Sequence, residues 1–138
     1  ASKADEIALR LRAKDVMVLF AEGTSSAGIH VLPFRSALLG AAQKAAGTDG
    51  VVWVQPVAIA YTGLCGMPTT MADRPFSGFY GDMDMATHLW AVLKRGALDV
   101  HVRFGEPVPM RADSDRKALT RALEEAVRRM KTGALREF

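Results

Sequence analysis

An α/β fold, with a mostly parallel sheet flanked by helices, is what this sequence predicts, on three observations. Helical and strand-like segments alternate along the chain, in the order helix, strand, helix, strand, helix, strand, helix. The short apolar run Val16-Met-Val-Leu-Phe20 ends in a polar turn, Glu22-Gly-Thr-Ser-Ser26. A buried parallel strand delivers a loop in this way to the sheet edge, where α/β proteins place their ligands. Finally, hydrophobic residues are 49% of the 138, ordinary for a globular domain and too many for a disordered chain.

The elements follow from local chemistry. Ile7, Leu9 and Leu11 among interspersed charges predict a first helix from Ser2 to Ala13, capped by the Ser2 hydroxyl. Val16 to Phe20 is the first strand. Arg35 to Ala46 is an alanine-rich helix that Gly47 ends. Val51 to Tyr61 is rich in β-branched residues and reads as the second strand. Pro56 interrupts it, which implies an edge position, a bulge or late entry into the ladder. Thr62 to Gly81 is irregular, with Gly63, Gly66, Pro68, Pro75, Gly78 and Gly81. Asp82 or Asp84 then caps a helix through Lys94, stopped at Gly96. Leu98 to Phe104 alternates as a third strand, ended by Gly105-Glu-Pro107. Ser114 caps the last helix, where Ala118, Leu119, Ala122, Leu123, Ala126, Val127 and Met130 mark one buried face. Three strands make a thin sheet, and the opening Ala1-Ser2-Lys3-Ala4-Asp5 is already helical in character. Strands are therefore expected upstream, with residues 1–138 the C-terminal part of a single domain.

Composition narrows the function. A lone cysteine, Cys65, rules out an internal disulfide and fits a reducing cytoplasm. No apolar run approaches the roughly 20 residues of a membrane-spanning helix. Net charge is +3, and the surplus sits from Arg111 to Phe138, where eight Lys/Arg face five Asp/Glu. Such a tail is a solvated helix face, or makes weak, salt-sensitive contacts with anionic lipid or acidic carrier proteins. A nucleic-acid partner is not expected. No P-loop, dinucleotide fingerprint or metal-ligand spacing occurs, so no metal or bound cofactor is predicted.

In the Glu22–Ser26 turn, Gly23 permits positive φ or close backbone approach. Thr24, Ser25 and Ser26 offer hydroxyl and backbone donors for a phosphate or carboxylate. Glu22 would repel an anion and fits better as a partner for a hydroxyl or a basic group. Read alone, the turn is as well explained by structure as by binding.

Phe20-Ala-Glu-Gly-Thr-Ser-Ser26 resembles the Phe-Pro-Glu-Gly-Thr-Arg-Ser block of the glycerolipid acyltransferases, the lysophosphatidic acid acyltransferase family. Val54-Gln-Pro-Val-Ala-Ile59 resembles that family's later Val-Pro-Val strand, which lines the same site. The resemblance covers nearly the whole chain and implies a partial glycerol-3-phosphate acyltransferase-like fold. It makes Glu22, Gly23, Thr24, Ser25, Ser26, His30, Arg35, Gln55 and Pro56 the acceptor-binding candidates. Ser25 stands where the family's phosphate-binding arginine is usual, which removes a bidentate charged contact. Arg35 is the alternative cation. The acceptor implied is 1-acylglycerol-3-phosphate or, with no phosphate to clamp, a lyso-ornithine lipid.

The resembled family deprotonates the acceptor hydroxyl with a His-x-x-x-x-Asp pair upstream of this block. Only 21 residues precede Glu22, and none is histidine. His30, His88 and His101 have no aspartate five positions on; His101 and Glu106 stand in the wrong order, and Cys65 has no histidine nearby in sequence. No catalytic residue is therefore expected in this chain, and alone it is predicted inactive. The parent would move an acyl group from an acyl carrier protein or coenzyme A thioester to a lysolipid in membrane lipid biosynthesis. It would be cytoplasmic and peripheral at the inner membrane, with the apolar residues between Thr62 and Gly81 meeting an acyl chain or folding over the core. The alternative is a non-catalytic α/β module that binds an anionic lipid or partner protein. Self-association through an exposed sheet edge is expected of such a piece.

Overall fold

The computed structural model describes residues 2–24, 30–68, 87, 90–91, 93–94 and 96–137. Helix α1 (Lys3–Arg12) begins as predicted: Ser2 Oγ accepts from the Asp5 amide and the Asp5 carboxylate accepts from the Ser2 amide, a reciprocal capping box. Helix α2 (Ser36–Ala46) packs against it and ends at Gly47, with φ +65°. An ion pair between Lys44 and Asp5 ties the two together.

That contact carries a pH signature. The Lys44 ammonium and the Ser2 amide hold the Asp5 carboxyl at about 2, below its ordinary 3.8. A depressed folded-state value stabilises fully above the unfolded value and fades as pH falls from about 4 to about 2. Urea midpoints of the protein should therefore fall relative to those of Asp5→Asn across that interval. Parallel midpoints would remove the effect.

The strands depart most from expectation. Residues 16–20 form no strand among the described residues: Val16 is 97% exposed and Phe20 74%, without ladder partners. A strand needs at least one partner strand for its backbone groups, and the strands present pair with one another instead. Pro56 splits the second predicted strand into β1 (Val52–Val54) and β2 (Val57–Leu64). A short β3 (Met67–Pro68) follows β2. After β4 (Leu98–Phe104) comes a strand the sequence did not reveal, β5 (Val108–Met110).

Among the described residues all pairing is antiparallel, so the expected mostly parallel sheet is not what these residues make. One sheet is β1–β5, the other β3–β2–β4. The two are halves of one bent ribbon. Val54 pairs with Val108 and Val57 with Phe104, so Gln55 and Pro56 on one side face Gly105, Glu106 and Pro107 on the other. The extra residue makes a bulge-like corner. Gln55 Nε2 and the Pro56 carbonyl grip Gly105 through its carbonyl and amide at 2.9 and 2.8 Å. A Cβ on Gly105 would lie 2.8 Å from Pro56 Cγ and 3.2 Å from Met130 Cε, so the corner needs glycine.

The start of the predicted irregular segment is ordered too. Leu64 pairs with Met67 across a two-residue turn, Cys65-Gly66, whose φ values of +53° and +77° are those of a type I′ hairpin. Residues 69–86, with the apolar loop and the Asp82 and Asp84 caps, lie outside the described residues. Trp90 and Lys94 are helical as expected, and the ammonium sits 5.4 Å from the ring centroid.

The last helix, α3 (Arg116–Glu137), is capped one residue later than predicted. Asp115 Oδ1 accepts from the Lys117 and Ala118 amides, while the Ser114 hydroxyl accepts from Arg111. Ala118 and Ala122 turn out exposed, and Thr120, Leu123, Val127 and Ala134 are the buried residues. The helix lies on the ribbon, where Ala58 and Ala60 let it approach closely. One core cluster joins Leu39, Ala42, Met110 and Leu123, the other Val31, Ala58 and Val127, and Phe34 packs against both.

Candidate functional site

The described residues of the turn, 22–24, are anchored by bonds within residues 20–23 and to residues 32–35. The Gly23 amide donates to the Phe20 carbonyl at 3.0 Å, and the Ala21 carbonyl accepts from the Arg35 amide at 2.8 Å. Glu22 Oε2 accepts from the Leu32 amide at 2.7 Å. Its carboxylate therefore closes the loop internally, a charge-assisted bond that locks the turn's shape. Two residues on, the Phe34 amide donates to Glu124 Oε2 of α3 at 2.9 Å, and Arg128 pairs with the same carboxylate. Three amides within four residues are thus fixed, from three directions.

Gly23 has φ +69°, which only glycine adopts without strain. A Cβ there would lie 3.0 Å from Cδ and Nε of Arg35. The arginine side chain therefore lies along the open face of the glycine. It is exposed, and no ion pair among the described residues uses it. Gly23 and Thr24 are exposed and Glu22 is half-buried, so the turn faces outward rather than into packed side chains.

The structure therefore brings Glu22, Gly23, Thr24 and Arg35 together. Ser25 and Ser26 lie outside the described residues. His30 is exposed at the loop's far end. Gln55 and Pro56 are committed to the corner with Gly105, not to the turn. Two shallow depressions, of about 460 and 310 Å³, lie between the end of α2 and the β5–α3 connection; no turn residue lines either. Among the described residues the turn presents an open surface and not an enclosed pocket. Among the described residues, no three His, Cys, Asp or Glu side chains gather to hold a metal ion.

Sequence reasoning missed Glu124, which reads as a solvated i,i+4 partner of Arg128 and carries no sign that it also braces residue 34. It also placed Glu22 among the acceptor contacts, while the geometry gives its carboxylate an internal amide to hold.

Over 132 residues, 94% of this chain, it is 54% identical to a lyso-ornithine lipid O-acyltransferase of Brucella abortus. The chain is similar to the lyso-ornithine lipid O-acyltransferases. Proteins of that name from Rhizobium meliloti and Rhodobacter capsulatus are 41% and 39% identical, over 96% and 92% of the chain. The match takes in 49%, 46% and 45% of those three relatives, so the chain spans about half the length of the curated relatives it matches. No family model matches the chain, and no solved structure does. Among the described residues, no helix is long and apolar enough to cross a membrane.

Proposed function

We propose that this chain is the acceptor-binding, C-terminal part of an O-acyltransferase domain whose acceptor is a lyso-ornithine lipid. The observation that carries this reading is the 54% identity, across almost the whole chain, to a relative of that name. The geometry at Gly23 supports the choice of acceptor. Ornithine is an amino acid, so its lipid offers a carboxylate where 1-acylglycerol-3-phosphate offers a phosphate. A single guanidinium suits a carboxylate, and Arg35 lies beside Gly23 while Ser25 replaces the arginine usual in the resembled family.

In this reading Arg35 anchors the carboxylate, and the Thr24, Ser25 and Ser26 hydroxyls and amides orient the headgroup. Glu22 keeps the turn in shape through Leu32. The acceptor hydroxyl attacks the thioester carbonyl of an acyl carrier protein or coenzyme A. An ester bond forms, the C–S bond breaks, and the hydroxyl proton passes through a histidine to the departing thiolate. That histidine, with its aspartate, belongs to the part of the domain outside this chain. The parent works at the cytoplasmic face of the inner membrane as a peripheral protein.

The test is a chimaera in which this chain replaces the matched region of the Brucella abortus relative. Acyl transfer to lyso-ornithine lipid is expected from the chimaera and absent from the 138-residue chain. An inactive, folded chimaera that still binds anionic vesicles would favour the non-catalytic module. Arg35→Ala in the chimaera should raise KM for the acceptor on the order of tenfold, with kcat little changed and Arg35→Lys partly restoring it. An unchanged KM would remove Arg35 from the site.

A further inference from the structure

The ribbon of β2 and β4 has two faces, and the helices described above occupy one. On that side Ala58 and Ala60 are buried, with Val127 of α3 packed against Ala58. On the other, Val57 lies opposite Phe104 and Ile59 opposite Val102, and Val100 continues the row. Directly opposed residues share a face, so these five make one continuous apolar ladder. Each is between 39% and 67% exposed.

Contiguous apolar surface of this kind marks a contact site, and three observations choose its occupant. First, β2 begins Val-Ala-Ile-Ala, apolar at every position, which is the pattern of a strand covered on both faces. Second, a surface built for anionic membrane carries cations beside its apolar residues, and this one has none on its strands. Arg103 is the sole Lys or Arg of β2 and β4; it lies opposite Ala58, on the α3 side, paired with Glu137. Third, the relatives run to about twice the matched length, so each carries a comparable mass of chain outside it. Residues 16–20 make the same demand: an apolar, largely exposed segment without ladder partners among the described residues.

We infer that the Val57–Val102–Phe104 face is an intradomain interface, covered by the portion of the acyltransferase chain that lies outside these 138 residues. The inference rests on the acyltransferase reading and adds the surface at which the two portions join. The third layer of the fold is then supplied by that portion, and the open turn at Gly23 becomes one wall of a closed site.

Thiol accessibility tests it. In a Cys65→Ser background, Val102→Cys is placed in the isolated chain and in the chimaera, with Arg129→Cys on the solvent side of α3 as the control. The substituted positions are exposed in the isolated chain, so its own folding should be unaffected. Maleimide labelling at 102 is expected to be slower in the chimaera on the order of tenfold or more, because it waits for local opening. Labelling at 129 should match in the two proteins. Equal rates at 102 would overturn the interface, as would a chimaera that aggregates. So would protection in the isolated chain, accompanied either by dimers in light scattering or only by added phosphatidylcholine vesicles, since a second copy or a bilayer would then be the occupant. The two readings separate cleanly. An active chimaera with freely labelled residue 102 sinks the interface alone, and an inactive one with protected residue 102 sinks the activity alone.

Discussion

Met110→Ala is expected to lower unfolding free energy by about 3 kcal/mol, the largest effect of any single truncation here. Met110 ends β5 with no solvent exposure, where Leu39 and Ala42 of α2 meet Leu123 of α3. Its loss leaves a cavity at the junction of three elements, and each of the three is held by a different segment of backbone. None of them collapses inward without breaking its own hydrogen bonds. Urea denaturation measures the change directly. Trp53→Ala, on β1 with its ring mostly exposed, is the comparison and should cost within about 0.5 kcal/mol. Similar losses for both would mean that the core does not centre on Met110.

Glu22→Ala should reduce acyl transfer by the chimaera on the order of 100-fold, because the turn loses its shape and not because a reacting group is removed. The carboxylate holds the Leu32 amide in a half-buried setting, and its removal leaves that donor unpaired, at a cost of about 1–3 kcal/mol. Glu22→Gln keeps an oxygen for the amide and should retain most activity. Amide exchange at Leu32 and Arg35 distinguishes this from a direct catalytic role: it should quicken in Glu22→Ala and stay slow in Glu22→Gln. Unchanged exchange in the alanine variant, together with lost activity, would place Glu22 on the substrate instead.

These two residues show what was legible. Glu22 announced itself through its neighbours, since an apolar run ending in Glu-Gly-Thr is a local pattern. Its partner Leu32 did not, because a backbone amide ten residues away has no signature of its own. Met110 sits in Val-Pro-Met-Arg, which reads as a connection between a strand and a helix. Only the register that sets Val52 opposite Met110 makes it a strand end and a core residue. Pro56 was read correctly as an interruption, and the sequence offered edge, bulge or late entry. The structure takes the bulge, a corner in which two residues face three and Gln55 and Pro56 bond Gly105.

Local chemistry thus determined helices α1, α2 and α3, the Ser2 cap, the stop at Gly47, the break at Pro56 and the turn at Glu22, since each depends on residues within one or two turns of each other. Strand direction was decided elsewhere. Antiparallel pairing of β2 with β4 and β1 with β5 joins residues 34 to 58 positions apart, and neither propensity nor period carries that information. The same holds for Val16 to Phe20, whose apolar run states a readiness to pair while partner strands decide whether pairing happens. Which side of β2 meets α3 and which stays open is likewise a property of the assembled layers, because alternating small and branched residues are apolar in either direction.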